Sequence, residues 1–190
     1  FLAILSAYIF YFFRDPIRSV PIDEVVVSPA DGVVTYIGSE KNPLEDSKDQ
    51  NSYTKVSIFL SIFDVHVNRM PIKGSINSIH YIPGKFINAT LDKSSKENER
   101  NIITVKSDKD NFYIVQIAGL IARRIVCNLK VNQEVEKGNR IGIIKFGSRV
   151  DLYLPENYAI LVAKGQRVVG GETIISNPKN IVKVNNAKLI

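Results

Sequence analysis

The chain has 190 residues, 45% of them hydrophobic, which supplies one domain with a real core and requires no second domain. Lys and Arg outnumber Asp and Glu by 25 to 19 (net charge +6), so an anionic partner is expected; the basic residues are scattered and carry no nucleic-acid motif, which favours an anionic membrane surface over nucleic acid. A single cysteine rules out an intrachain disulfide, and two histidines beside it argue against structural zinc and any other metal centre of Cys/His type.

Residues 1–13 are almost wholly apolar and aromatic. Such a run is too short to span a bilayer and predicts a short hydrophobic helix, interfacial or the exit half of an anchor. Arg14 and Arg18 follow at once and favour the cytoplasmic side for what comes next. Residues 1–22 are therefore expected to be a membrane-associating segment with a basic flank, and 23–190 a single domain. Period-two, β-branched runs bounded by Gly, Pro, Asn and Asp predict strands at 25–27, 32–37, 55–60, 101–105, 112–117, 140–144 and 159–162. Helical spacing recurs only weakly, at 119–128, and the polar stretches 39–53 and 91–100 predict loops. Cys127, in an apolar run, reads as a buried inert thiol.

A weak echo links Val135-Glu136-Lys137-Gly138-Asn139-Arg140-Ile141 with Val162-Ala163-Lys164-Gly165-Gln166-Arg167-Val168. Its glycines sit where positive φ is expected, and the pattern resembles the turn-and-strand units of lipoyl- and biotinyl-type folds. The predicted architecture is mostly β: a barrel-like sandwich with lipoyl/biotinyl-like pseudo-repeated halves and a short N-terminal helix.

Three segments hold candidate chemistry: Ser28-Pro29-Ala30-Asp31-Gly32, Phe63-Asp64-Val65-His66-Val67-Asn68-Arg69 and Phe146-Gly147-Ser148-Arg149-Val150-Asp151. Strand alternation puts Asp64, His66 and Asn68 on one side, making a polar end to an otherwise apolar strand. Taken alone, Asp31 reads as a turn residue and Gly147-Ser148 as a surface turn between the echoed units.

Together with Phe12-Phe13-Arg14-Asp15-Pro16, Pro83-Gly84-Lys85-Phe86, Asn98-Glu99-Arg100, Gln116-Ile117-Ala118-Gly119 and Ala122-Arg123-Arg124-Ile125-Val126, these segments resemble the short branch of the pyruvoyl-dependent phosphatidylserine decarboxylase family. The resemblance implies that Ser148 Oγ attacks the Gly147 carbonyl, cutting the precursor into a β-chain 1–147 and an α-chain 148–190 that stay associated. It implies a covalent pyruvoyl group made from Ser148, which forms a Schiff base with phosphatidylserine, and a product phosphatidylethanolamine. Such a sink is needed because no ordinary side chain holds the electrons left by carbon dioxide; pyridoxal phosphate would need a Schiff-base lysine and a phosphate cradle, and no cradle is recognisable. His66, oriented by Asp31, is the implied base for cutting and acid for turnover. Arg69 and Arg149 are the candidates for substrate binding. Arg69 stands where longer members carry a second histidine, and Gly-Ser-Arg replaces their Gly-Ser-Thr. The expected location is the cell membrane, peripheral or N-terminally anchored, with homo-oligomer formation left open. Two other readings remain: a lipoyl- or biotinyl-like carrier or adaptor, and a hybrid-fold phosphocarrier using His66.

Overall fold

The computed structural model describes residues 2–44, 49–85, 97–108, 110–119, 124–145 and 148–177. Helix α1 (Leu2–Phe12) is apolar on nearly every side yet buries only Phe12. No helix among the described residues is long and apolar enough to cross a membrane. Arg14, just past its end, donates to Tyr11 O (2.7 Å) and Phe63 O (2.8 Å), capping the helix carbonyls and tying the helix to the body.

The remainder is mostly β. In chain order the strands are β1 (Val26–Val27), β2 (Gly32–Lys41), β3 (Ser52–Leu60), β4 (Val67–Arg69), β5 (Gly74–Ile82), β6 (Arg100–Ser107), β7 (Asp110–Ile117), β8 (Ile125–Cys127), β9 (Glu134–Val135), β10 (Arg140–Ile144), β11 (Ser148–Pro155), β12 (Ala159–Ile160), β13 (Arg167–Val168) and β14 (Ile174–Asn177). An eight-stranded antiparallel sheet, ordered β13-β2-β3-β11-β7-β6-β5-β9, curls into a half-barrel. Two three-stranded sheets, β1-β14-β12 and β4-β10-β8, accompany it.

Register fixes the two faces of the large sheet. Val150 lies opposite Ile58 and Leu152 opposite both Val56 and Ile114, so these side chains share one face, which packs with Val26, Met70, Ile141 and Ile144 from the small-sheet side. Each such side chain, fully buried, contributes roughly 1.5–3 kcal/mol. The opposite face carries Tyr53, Ile102, Tyr113, Val115, Ile117 and Tyr153.

Two corners of the chain match each other, Ser28-Pro29-Ala30-Asp31-Gly32 and Met70-Pro71-Ile72-Lys73-Gly74. Val27 N donates to Pro71 O and Arg69 N to Pro29 O, both at 2.9 Å. Gly32 pairs with Val168 and Gly74 with Val135. Gly171 N and Gly165 N reach Ser28 O and Val34 O, while Gly138 N and Asn132 N reach Met70 O and Ile76 O, all within 2.7–2.8 Å. Gly138 and Gly165 have φ of 83° and 89°, the left-handed conformation expected of them. By their partners, however, Gly138 corresponds to Gly171, and Gly165 to Asn132, a different pairing from the echo in the sequence.

Three further expectations change. Ser148 is no surface turn: it is buried and opens β11. Residues 125–127 are strand rather than helix, and Cys127 is half-buried. The strand expected to carry Asp64, His66 and Asn68 on one side breaks at a turn after Leu60 and resumes as β4.

Candidate active site

The turn after β3 builds the histidine. Asp64 Oδ2 accepts from Ser61 N (2.8 Å) and Ser61 Oγ (2.7 Å), and Arg167 pairs with the other oxygen. This carboxylate closes the turn as an Asx-type brace. The Asp64 carbonyl, held by that brace, accepts from His66 Nδ1 at 2.9 Å. A carbonyl only accepts, so Nδ1 carries the proton and Nε2 keeps its lone pair. Nε2 is buried with no partner among the described residues. The Phe12 ring lies over the imidazole, centroids 4.3 Å apart. Burial pushes the His66 pKa below its usual 6.5 and Arg14 lowers it further, against the Asp64 carbonyl and the charges of Asp64 and Asp31. The ring is neutral at pH 7, the form a base requires.

In sequence the chain passes from a backbone contact with the histidine to the serine within four residues. Strand β10 runs antiparallel to β4, with Gly142 opposite Asn68 and Ile143 opposite Val67. Ile144 N donates to His66 O at 3.4 Å, four residues before Ser148. Ser148 then pairs with Leu60, the last residue of β3 before the Asp64 turn. Lys145, between them, places its ammonium 5.9 Å from the Phe13 ring centroid, so α1 closes over this crossing. Gly147 and Phe146 lie outside the described residues. Ser148 Oγ and Asn68 Nδ2 are buried and without a partner among the described residues. A buried polar atom without a partner costs about 1–3 kcal/mol. Of the five such atoms among the described residues, the three on His66, Asn68 and Ser148 belong to segments linked through β10, and mark a site kept for something else to bind or react.

Asp31 stands apart from the expected arrangement. Its two oxygens accept from Arg18 Nη2 (3.0 and 2.8 Å), and Oδ1 also accepts from Gly170 N at 2.8 Å. The position expected of it at Nδ1 belongs to the Asp64 carbonyl, and only its field reaches His66. Arg69 is occupied as well: Nη1 donates to Gly138 O and Nη2 to Pro16 O, both at 3.1 Å, and Nη2 also pairs with Asp15. Arg149 is held by Asp151 in a two-pronged pair (2.8 and 2.9 Å) that is almost wholly buried. Alternation along β11 directs that pair to the face opposite Ser148. Neither arginine is presented to the serine.

Sequence reasoning missed Phe12 as the roof of the site and the Asp64 carbonyl as the group that sets the tautomer; it grouped Asn68 with His66 but gave it no role. The only signals were the apolar patterning of residues 1–13 and the i+2 spacing from His66 to Asn68. Among the described residues no group of three or more His, Cys, Asp and Glu could hold a metal ion.

Fold and site together define a mostly β protein with a neutral histidine and a serine hydroxyl enclosed by its own chain, the setting for an intramolecular serine nucleophile. Residues 5–176 match the family model described as phosphatidylserine decarboxylase. The chain is 54% identical over 176 residues to the phosphatidylserine decarboxylase proenzyme of Rickettsia akari (strain Hartford), covering 92% of this chain and 76% of that protein. It is 54% identical over 170 residues to the proenzyme of the same name from Wolbachia sp. subsp. Brugia malayi (88% and 74% covered), and 50% identical over 190 residues to that of Ehrlichia chaffeensis (98% and 83% covered). The chain belongs to the phosphatidylserine decarboxylase family.

Proposed function

We propose that this chain is a proenzyme that cuts itself between Gly147 and Ser148 and then converts phosphatidylserine to phosphatidylethanolamine. The observation that carries the reading is a chain of this family in which Ser148 Oγ and the Nε2 of a neutral His66 are both buried and without a partner among the described residues. In the cut, His66 Nε2 takes the Oγ proton as Oγ bonds to the carbonyl carbon of residue 147. The C–N bond to Ser148 breaks, the proton passes to the freed nitrogen, and an ester remains. Loss of the residue 148 α-proton expels the residue 147 carboxylate and leaves dehydroalanine, which hydrolyses with release of ammonia. The outcome is a β-chain 1–147 and an α-chain 148–190 headed by a pyruvoyl group, held together by the pairing of β11 with β3 and β7.

The residues present fit that group: position 148 opens a strand on the inner face, His66 and Asn68 are wholly buried with polar atoms unpartnered among the described residues, and Phe12 covers the imidazole. A pyruvoyl group supplies the electron sink for the bond that releases carbon dioxide. His66 holds the proton to be returned, at Nε2; against burial, the Asp64 carbonyl and the charges of Asp64 and Asp31 favour its charged form. Neither pyridoxal phosphate nor a metal is part of this proposal.

Residues 1–22 are read as the membrane contact, peripheral or anchored, with the catalytic domain on the cytoplasmic side and anionic lipid as partner. The two matched corners are read as the trace of lipoyl/biotinyl-like halves. A phosphocarrier would need His66 within reach of a partner's phosphate, and it is wholly buried. A lipoyl or biotinyl carrier would need a lysine where Ser148 opens β11.

Intact-protein mass measurement tests the reading. The parent should give two fragments, the smaller one blocked at its N-terminus, and Ser148→Ala a single uncut, inactive chain. An uncut parent that decarboxylates phosphatidylserine would overturn it.

A further inference from the structure

A row of buried amides leads into the site from the far side of the sheet. On the inner face Asn101 lies opposite Gln116, and Gln116 opposite Val150, which shares its face with Ser148 two residues earlier. Asn101 Nδ2 donates to Gln116 Oε1 at 3.1 Å, and Gln116 Nε2 donates to Asn68 Oδ1 at 2.8 Å. All three side chains are buried, two of them completely. Gln116 thus accepts from Asn101 with its oxygen and donates its N–H to Asn68 Oδ1, an arrangement that leaves the Asn68 NH2 turned away from the relay. That Nδ2 has no partner among the described residues.

Asn68, in the middle of β4, lies two residues beyond His66, and both side chains are wholly buried. The site thus assembles a lone pair at His66 Nε2, a hydroxyl at Ser148 and a neutral N–H donor at Asn68. The first two account for the nucleophile and its base. The third has no assigned task, and it is the kind of group that stabilises a carbonyl oxygen as it becomes negative.

We propose that Asn68 Nδ2 donates to the carbonyl oxygen of residue 147 during self-cutting, and that Gln116 and Asn101 are positioning residues that hold its amide the right way round. This rests on the self-cutting read above. As Ser148 Oγ bonds to the carbonyl carbon and His66 takes its proton, the carbonyl π pair moves onto oxygen; the Asn68 N–H stabilises that charge until the pair returns and the C–N bond breaks. Asn68 itself gains and loses no covalent bond.

The test follows cutting of freshly synthesised chain by gel and mass for the parent, Asn68→Ala, Asn68→Asp and Gln116→Met, with thermal unfolding and hydroxylamine, which cleaves the ester, as companion readouts. Asn68→Asp is close to isosteric and still accepts from Gln116 but has no N–H, so it separates donation from packing. Both Asn68 variants should cut about 10²–10³-fold more slowly than the parent. Hydroxylamine should release no extra fragment from them, because the ester itself forms slowly. Gln116→Met should slow cutting less, since the amide is present but free to turn. Should an Asn68 variant fail to fold, Gln116→Met decides: parental cutting in a folded chain overturns the proposal. Folded Asn68→Asp cutting at the parental rate overturns it too, as does rapid ester accumulation revealed by hydroxylamine. A parent that never cuts would instead overturn the underlying reading of the function.

Discussion

His66 and Arg149 show how the same charge logic gives different roles. Because burial holds the His66 pKa below 6.5, the folded ring stays neutral at a pH where an exposed or unfolded histidine is already half protonated. Self-cutting should therefore keep its rate as pH falls through 6.5 and decline only below that. Stability should fall over the same range, since the unfolded chain takes up a proton that the folded one refuses. Initial cutting rates in a pH series check this, and a midpoint above 6.5 would show that His66 is not the base. His66→Ala should abolish cutting while leaving the chain folded. Arg149 reads as a substrate contact from its place beside Ser148, but the structure gives it a buried carboxylate instead. Arg149→Met should then act on stability first, costing about 3–5 kcal/mol by stranding the Asp151 charge, as thermal unfolding would report. Full stability with lost lipid affinity would restore the substrate role.

Among the elements, the helix and the strap behind it decide where the catalytic unit begins. A boundary at 22/23 looks natural in the sequence, where the apolar run and its two arginines end. The structure joins what that boundary divides: Phe12 covers His66, Asp15 pairs with Arg69 and Arg140, Arg18 holds Asp31, and Ser19 N donates to Glu172 Oε1 at 2.9 Å. A chain beginning at Asp23 should therefore cut itself poorly although it retains Ser148, His66 and Asp31, whereas one beginning at Tyr8 should cut well. Comparing the two by mass at equal times checks it, and equal rates would reduce the strap to packing. The β10 strand gives a second case. A Cβ on Gly142 would stand 1.9 Å from Val126 O, backbone that cannot move aside without losing the β8–β10 pairing. Gly142→Ala should cost about 1–3 kcal/mol or more and slow cutting, because β10 also carries the chain from β4 to Ser148. Strands β2, β3, β6 and β7 were legible from their β-branched runs, although β2 continues to Lys41 and β3 starts at Ser52, inside the polar stretch expected to be a loop. Strand β11 was not: Ser148, Arg149 and Asp151 are polar and buried, so composition points to a turn where hydrogen bonding and ion pairing satisfy a strand interior. The resemblance located the serine but gave no sign that a backbone carbonyl, rather than Asp31, would orient the histidine.

At the scale of the molecule, the apolar surface and the site share one end. Leu2 and Ile4 are each 76% exposed, Phe10 is 80%, Ile17 fully, Ile22 98% and Phe63 62%, while Phe12 on the same helix is sealed against His66. Water disfavours apolar side chains so exposed, and a lipid surface would bury those of α1 on the same helix that covers His66. The net charge of +6 adds attraction to anionic headgroups, which salt screens within about 10 Å at 0.1 M. Truncation cannot test this cleanly, because it also removes Phe12 and Arg18. Replacing Leu2, Ile4 and Phe10 by Ser leaves those contacts in place, so the variant should cut itself at the parental rate yet sediment less with phosphatidylserine vesicles. Its remaining binding should weaken from low to high salt more steeply than the parent's, since charge then carries more of it. Equal sedimentation of parent and variant at every salt concentration would mean that the helix serves only to roof the histidine.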